Sequence, residues 1–253
     1  MNFNKKTAIS TGAASGMGLL FAQNFAQLGG NVVLCDVNEQ VLKEKVEEIN
    51  AKGKGKAIGV ICDVRDYKQV CNARDKAVEA FGTIDVMANF AGGYARRMLN
   101  VGSDDEFPDV PIKVFDWGLD VNLKGPFYFA HAVLSQMRKQ NSGLIINIGS
   151  IMGAEGDGSG MDYPTAKAGL MYGLTKSIAQ FGSKYNIRCV CVSPGPVLTR
   201  AAMANMKTLL GRAAEPQEIV DLCLFLASEK GQFINGENIM IDGGRNAMLG
   251  EKR

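Results

Sequence analysis

The sequence holds one histidine in 253 residues, His131, and its six cysteines form no C-x-x-C pair. A zinc site needs more nitrogen and sulfur ligands than this chain clusters anywhere, so no metal is expected. Cys35, Cys62, Cys71, Cys189, Cys191 and Cys223 show no disulfide pattern and read as small core residues, which points to a reducing, cytoplasmic setting. An excess of one charge is missing too. Lysine and arginine number 28 against 26 aspartate and glutamate, a net +2 with the signs mixed. That leaves no electrostatic case for nucleic acid or a membrane surface as a partner. No apolar run is long enough to cross a bilayer, and the short polar start Met1–Lys6 does not fit a signal peptide. Repeats, low-complexity tracts and linker-like stretches are also lacking.

What the sequence does have is alternation. Short apolar runs at Thr7–Thr11, Asn31–Asp36, Lys56–Cys62, Ile84–Asn89, Leu144–Gly149, Ile187–Ser193 and Asn238–Ile241 read as strands. Several are continuously apolar, as in parallel strands covered on both faces. Helical patterns lie between them, near Met17–Leu28, Glu39–Ala51, Tyr67–Phe81, Val114–Gln140, Met161–Tyr185 and Gln217–Ala227. His131 falls within one of these and reads as structural. The pattern predicts one α/β domain, residues 1–253, with a doubly wound parallel sheet of about seven strands and helices on both faces. In such sheets ligands bind beyond the carboxyl ends of the strands.

The first strand feeds into Thr11-Gly12-Ala13-Ala14-Ser15-Gly16-Met17-Gly18, and a helix follows. Glycines there let the backbone approach a pyrophosphate, whose charge is favoured at a helix N-terminus. An ordinary tight turn is the bland alternative. Asp36 ends the second strand. A carboxylate at this place accepts hydrogen bonds from ribose hydroxyls and repels an added phosphate. No lysine or arginine lies in the loop or directly after Asp36, so NAD(H) is expected over NADP(H). The competing role for Asp36 is capping the next helix. Asp63-Val64 after the third strand, and Asn89 with Ala91-Gly92 after the fourth, are further candidates for nucleotide contact.

Tyr163 and Lys167 are four apart in a helical stretch and share a face. Free tyrosine ionises near pH ~10. A nearby ammonium favours the phenolate, which suits acid/base work near neutral pH.

These residues resemble the short-chain dehydrogenase/reductases, and the resemblance covers almost the whole chain. It rests on Thr11–Gly18, Asp63, Asn89-Phe90-Ala91-Gly92, Asn122 in Val121–Gly125, Ser150, Tyr163-Pro164-Thr165-Ala166-Lys167, Pro194-Gly195 with Thr199, and Asp242-Gly243-Gly244. Phe90 departs from the family, which often has a second asparagine there. The resemblance implies an NAD(H)-dependent oxidoreductase that interconverts a secondary alcohol and a ketone. It makes Tyr163 the acid/base, Ser150 a hydrogen bond to the substrate oxygen, and Asn122 the holder of a water beside Lys167. Lys167 would also bond the nicotinamide ribose, and Pro194, Gly195, Val197 and Thr199 would pass the nicotinamide.

The chain is similar to members acting on 3-oxoacyl carriers, sugars or polyols, and steroids; a hydroxy acid is a further candidate substrate. Such members often form homotetramers, so a homo-oligomer, tetramer or dimer, is expected. Substrate choice should lie in loops near 93–113, 151–162 and 200–210. Arg96 or Arg97 is the candidate for an anionic group on the substrate; an internal pairing with the acidic run Asp104-Asp105-Glu106 is the competing role. A catalytically silent dinucleotide-binding sensor or scaffold is the alternative function. It should lack part of the Ser150, Tyr163 and Lys167 set, and this chain has all three.

Overall fold

The computed structural model describes residues 1–102 and 105–248. Its strands are β1 (Thr7–Thr11), β2 (Asn31–Asp36), β3 (Ala57–Ile61), β4 (Val86–Asn89), β5 (Gly143–Ile148), β6 (Ile187–Pro194) and β7 (Asn238–Ile241). They form one parallel sheet in the order β3-β2-β1-β4-β5-β6-β7. The order reverses between β1 and β4, which opens a crevice at the carboxyl ends of the strands.

Alternation within the strands feeds two cores. Ala8, Val32, Leu34, Leu144 and Ile146 face one side, where α1 (Gly16–Gln27), α2 (Glu39–Lys52) and α10 (Pro216–Ala227) pack. Ile9, Val33, Cys35 and Ile145 face the other, against α3 (Tyr67–Phe81), α6 (Gly125–Gln140) and α9 (Thr175–Gly182). Neighbours in sequence point to opposite faces because the strand period is two. Asn38 caps α2 by accepting the Val41 N–H, and Asp66 caps α3. All six cysteines are free thiols, five of them buried. His131 bonds the hydroxyl of Tyr67 on the outer side of α6.

The expected elements differ from those observed in three instructive places. Strand β4 begins two residues later than the apolar run at Ile84. The Gln140 side chain takes both the N–H and the C=O of Ile84, at 2.9 Å each, in place of a neighbouring strand. The long helical pattern to Gln140 is not one regular helix. It runs as α5 (Ile112–Leu119), a π-helical turn over Asp120–Lys124, and α6. Pro126 has no N–H to return to the carbonyl four residues before it, and the Asn122 side chain takes the Gly118 carbonyl at 2.9 Å. The pattern near Met161–Tyr185 is likewise divided. It comprises α8 (Asp162–Ala168), a π turn over Gly169–Leu174, α9 and a short 3-10 turn. Such widened turns concentrate at functional sites.

A buried polar chain ties the sheet centre to the second of these helices. Asn89 of β4 donates to Asn147 of β5 at 2.9 Å, and Asn147 donates to Thr175 at 3.0 Å. Asn147→Ala leaves the buried Asn89 amide without its acceptor, while the Thr175 hydroxyl still donates to the Leu170 carbonyl. It should cost about 1–3 kcal/mol of stability, read as a lower denaturant midpoint at an unchanged slope.

Candidate active site

Two adjoining clefts lie over the carboxyl edge of the sheet. One, of about 750 Å³, is lined by Gly12, Ser15, Gly16, Met17, Gly18, Asp36, Asp63, Val64, Ala91 and Gly92. The other, of about 500 Å³, is lined by Gly92, Ser150, Tyr163, Lys167, Pro194, Gly195, Val197 and Thr199. The clefts share Met17, Phe90, Gly92, Arg97, Thr199 and Arg200, so one extended ligand can occupy both. Asn89 is the exception among the nucleotide candidates. Its side chain is buried in the Asn147 chain and does not line either cleft.

The glycine loop has the geometry that close approach requires. Gly12 has φ +62°, and a Cβ on Gly18 would stand 2.6 Å from the Gly12 carbonyl oxygen. Asp36 holds this loop to β2: one carboxylate oxygen accepts the Ala14 N–H and the other the Asn38 N–H, both at 3.0 Å. The capping role for Asp36 therefore falls to Asn38 instead. Asp63 is engaged by Arg65, which bonds both its oxygens and holds its carboxyl below the usual range. Arg65 also lines this cleft, a cation brought there from beyond β3 and not from the residues around Asp36.

The second cleft is organised by Lys167 and Asn122. The buried Lys167 ammonium donates to the Ile148 carbonyl at 2.7 Å, and burial lowers its pKa to about 8. It lies 5.5 Å from the centre of the Tyr163 ring. The π turn aims the Asn122 amide at the strand β4 exit, where it donates to the Gly93 carbonyl at 2.9 Å and accepts the Gly93 N–H at 3.0 Å. Gly92 is wedged between the two: a Cβ there would lie 2.8 Å from Asn122 Oδ1 and 3.4 Å from Lys167 Nζ.

The electrostatics of Tyr163 correct the simple pairing with Lys167. Burial pushes the phenol up from its ordinary value, and this is the largest effect. The opposing pulls come from the hydrogen bond with Ser150 and from the charges of Arg200 and Arg97. The Ser150 hydroxyl is itself held, accepting the Met152 N–H at 3.1 Å.

Arg96 also needs correction as a substrate contact. Its side chain is buried and donates to the carbonyls of Gly102 at 3.2 Å and Asp105 at 2.9 Å. It pins its own loop through these carbonyls. Asp104 of that run lies outside the described residues. Arg97, on the same short helix α4 (Ala95–Met98), is exposed and lines both clefts.

The three expected substrate loops do meet around Tyr163. Tyr94 packs on the Tyr163 ring at 6.0 Å and donates its hydroxyl proton to Asp157 at 2.8 Å, joining the first loop to the second. The third loop is a 3-10 turn over Ala201–Asn205 that brings Arg200, Met203 and Met206 to the cleft. An ion pair fastens the second and third loops to the last described turn. Arg245 bonds Glu155, which follows Ser150 in α7 (Met152–Glu155), and the Lys207 carbonyl at 3.2 Å. Side-chain exposure of 15% and 6% marks it as a largely buried ion pair. No local motif signals Arg245 or Arg200; only the charge beside Thr199 hinted at the latter.

A family model described as enoyl-(acyl carrier protein) reductase matches residues 12–246. Trans-4-hydroxycyclohexanecarboxylate dehydrogenase of Sinomonas cyclohexanicum is 39% identical, over 96% of this chain and 93% of that protein. A 3-oxoacyl-[acyl-carrier-protein] reductase of Thermotoga maritima is 34% identical, over 96% and 99%. The 7alpha-hydroxysteroid dehydrogenase of Bacteroides fragilis is 33% identical, over 96% and 95%. A crystal structure of NAD+-bound xylitol dehydrogenase superposes with a TM-score of 0.87 at 28% identity, covering 96% of this chain and all of that one. Sheet order, glycine loop and these relatives agree, and the chain belongs to the short-chain dehydrogenase/reductase family of oxidoreductases.

Proposed function

We propose that this protein is an NAD(H)-dependent dehydrogenase that interconverts a secondary alcohol and a ketone, with Tyr163 as the acid/base. The observation that carries this reading is the convergence of Tyr163, Ser150 and buried Lys167 on one cleft that adjoins the glycine loop. A bound nicotinamide supplies the hydride acceptor in one direction and the hydride donor in the other. Gly12, Ser15, Gly16, Met17 and Gly18 would hold its pyrophosphate, and Asp36 its adenosine ribose. Pro194, Gly195, Val197 and Thr199 would face the nicotinamide. The Val197 segment is steadied by Ala214, whose carbonyl accepts the Leu198 N–H at 2.9 Å.

In oxidation, Tyr163 takes the hydroxyl proton of the alcohol while Ser150 bonds the same oxygen. In reduction, Tyr163 gives the proton back. Lys167, with a pKa of about 8, stays mostly protonated near neutrality and passes protons between Tyr163 and a water at the Asn122 turn. The candidate substrates are a sugar or polyol, a hydroxy acid, a 3-oxoacyl compound and a steroid. These span the compounds named for the relatives above. A silent nucleotide sensor gains no support from a site this complete.

The whole chain is read as one dinucleotide-binding domain, with substrate loops near 93–113, 151–162 and 200–210. Exposed Phe127 on α6, and Tyr172 and Phe181 on the outer side of the α8–α9 stretch, support a homo-oligomer. The free buried cysteines suit a reducing, cytoplasmic compartment.

The direct test is absorbance of reduced nicotinamide with a panel of secondary alcohols, NAD+ and NADP+ side by side. Tyr163→Phe should lower kcat by about 10²–10⁴ and leave NADH binding intact; undiminished turnover would refute the assignment. Burial keeps the Tyr163 proton on at neutral pH, and oxidation needs the phenolate. Alcohol oxidation should therefore accelerate as pH rises from neutral into the alkaline range, and ketone reduction, which needs the phenol, should not. Asp36→Ala should cut kcat/KM for NAD+ by roughly tenfold or more and spare NADP+, reversing or narrowing the preference. An unchanged ratio of the two cofactors would remove Asp36 from that role.

A further inference from the structure

We infer that the alcohol this enzyme oxidises carries a carboxylate, received by Arg97 and Arg200 on either side of the reacting carbon. The inference rests on the dehydrogenase reading above and narrows its substrate to a hydroxy acid.

Charge is distributed unevenly along the two clefts. Among the described residues, the cleft around Tyr163 is lined by three cations, Arg97, Lys167 and Arg200, and by no acidic side chain. Carboxylates occur only at the other end, where Asp36 and Asp63 line the nucleotide cleft. Acids do stand close to the substrate loops, and each is already engaged. Glu155 is bound by Arg245, and Asp157 accepts hydrogen bonds from Tyr94 and Ser159. Among the described residues, neither Arg97 nor Arg200 pairs with a carboxylate. The one polar contact of Arg200 is with the Met203 sulfur, at 3.8 Å. Two guanidiniums facing one cleft without counter-ions repel each other, and an anion placed between them relieves that repulsion.

The fold presents them from opposite sides. Arg97 comes from the segment after β4, Arg200 from the segment after β6, and β5 lies between, with Ser150 two residues beyond its end. Both charges are felt at the Tyr163 hydroxyl, so both are near the reacting centre. Arg97 is not a loose surface group. Its neighbour Arg96 fastens the turn to the Gly102 and Asp105 carbonyls, and Arg97 Nη2 lies 3.7 Å from where a Gly93 Cβ would be. The remaining wall is apolar, with Ile151, Met152, Met203 and Met206. The site therefore matches a molecule with a hydroxyl, a hydrocarbon body and a single carboxylate. Both arginines also line the nucleotide side, so contact with the cofactor phosphates is the competing use that the test separates.

The experiment compares 3-hydroxybutyrate and hydroxycyclohexanecarboxylates with their own methyl esters, on wild type, Arg97→Ala, Arg200→Ala and the two lysine variants. NADH affinity is measured by fluorescence titration on each protein. Wild type should favour at least one acid over its ester by about tenfold in kcat/KM, since one lost charge-assisted contact of this kind costs about that factor. Each alanine variant should raise KM for the acid by roughly the same factor, leave KM for the ester and NADH affinity within about twofold, lower kcat for acid and ester alike because a charge favouring the Tyr163 phenolate is lost, and recover part of the KM effect on substitution by lysine. Equal turnover of acid and ester, or a loss in the variants that follows NADH affinity, overturns the inference and leaves the dehydrogenase reading standing. Preference for a phosphorylated alcohol overturns the carboxylate. No turnover of acid or ester, with other secondary alcohols of the panel oxidised, overturns the inference alone; no turnover of any alcohol in the panel with either cofactor defeats the dehydrogenase reading and this inference together.

Discussion

The active centre depends on keeping an ammonium group out of water. Lys167 reaches across the end of the sheet to the Ile148 carbonyl, and burial brings it within about one pH unit of losing its charge at neutrality. An isolated buried cation would simply neutralise. A carbonyl acceptor, a widened helical turn carrying Asn122 and a residue without a side chain at Gly92 keep its surroundings polar and tight. Each of these comes from a different element: β5, the α5–α6 junction and the exit of β4. The constraint on one ammonium thus fixes how three parts of the chain must meet.

That arrangement gives the substrate cleft its electrical character. Desolvation at the wall of this cleft makes Tyr163 hold its proton more firmly than a free tyrosine does. The sequence suggested that the lysine one helical turn away supplies the correction. In the structure the cations that pull on Tyr163 stand on the substrate loops, at Arg97 and Arg200. A substrate that neutralised them would change the acidity of the tyrosine as it bound. On the proposed reading, recognition and proton transfer in this cleft would share the same charges.

Much of the fold was legible in the residues because strand and helix periods differ so clearly. All seven strands fall where apolar runs place them, and the glycine loop lies between β1 and α1 as its spacing demanded. The departures have local causes that a periodicity does not register. Gln140 shortens β4 from 56 positions away, and Pro126 with Asn122 widens a helix whose apolar pattern continues unbroken. At the site, motif residues stood out because their spacing is local. Arg200 and Arg245 did not, since their meaning lies in what they face. Asn89 looked like a cofactor residue by position, and its burial against Asn147 gives it a structural task. Arg96 and Arg97 are adjacent in sequence, and only the geometry of a short helix separates the buried one from the exposed one.

The clasp between Arg245 and Glu155 has a consequence for the order in which this molecule becomes competent. The two partners are 90 positions apart, and the arginine belongs to the last turn of the described chain. During synthesis the glycine loop and the tyrosine emerge long before that arginine does. The loop that follows Ser150 is therefore fastened only once the last described turn has been made, whatever has folded before it.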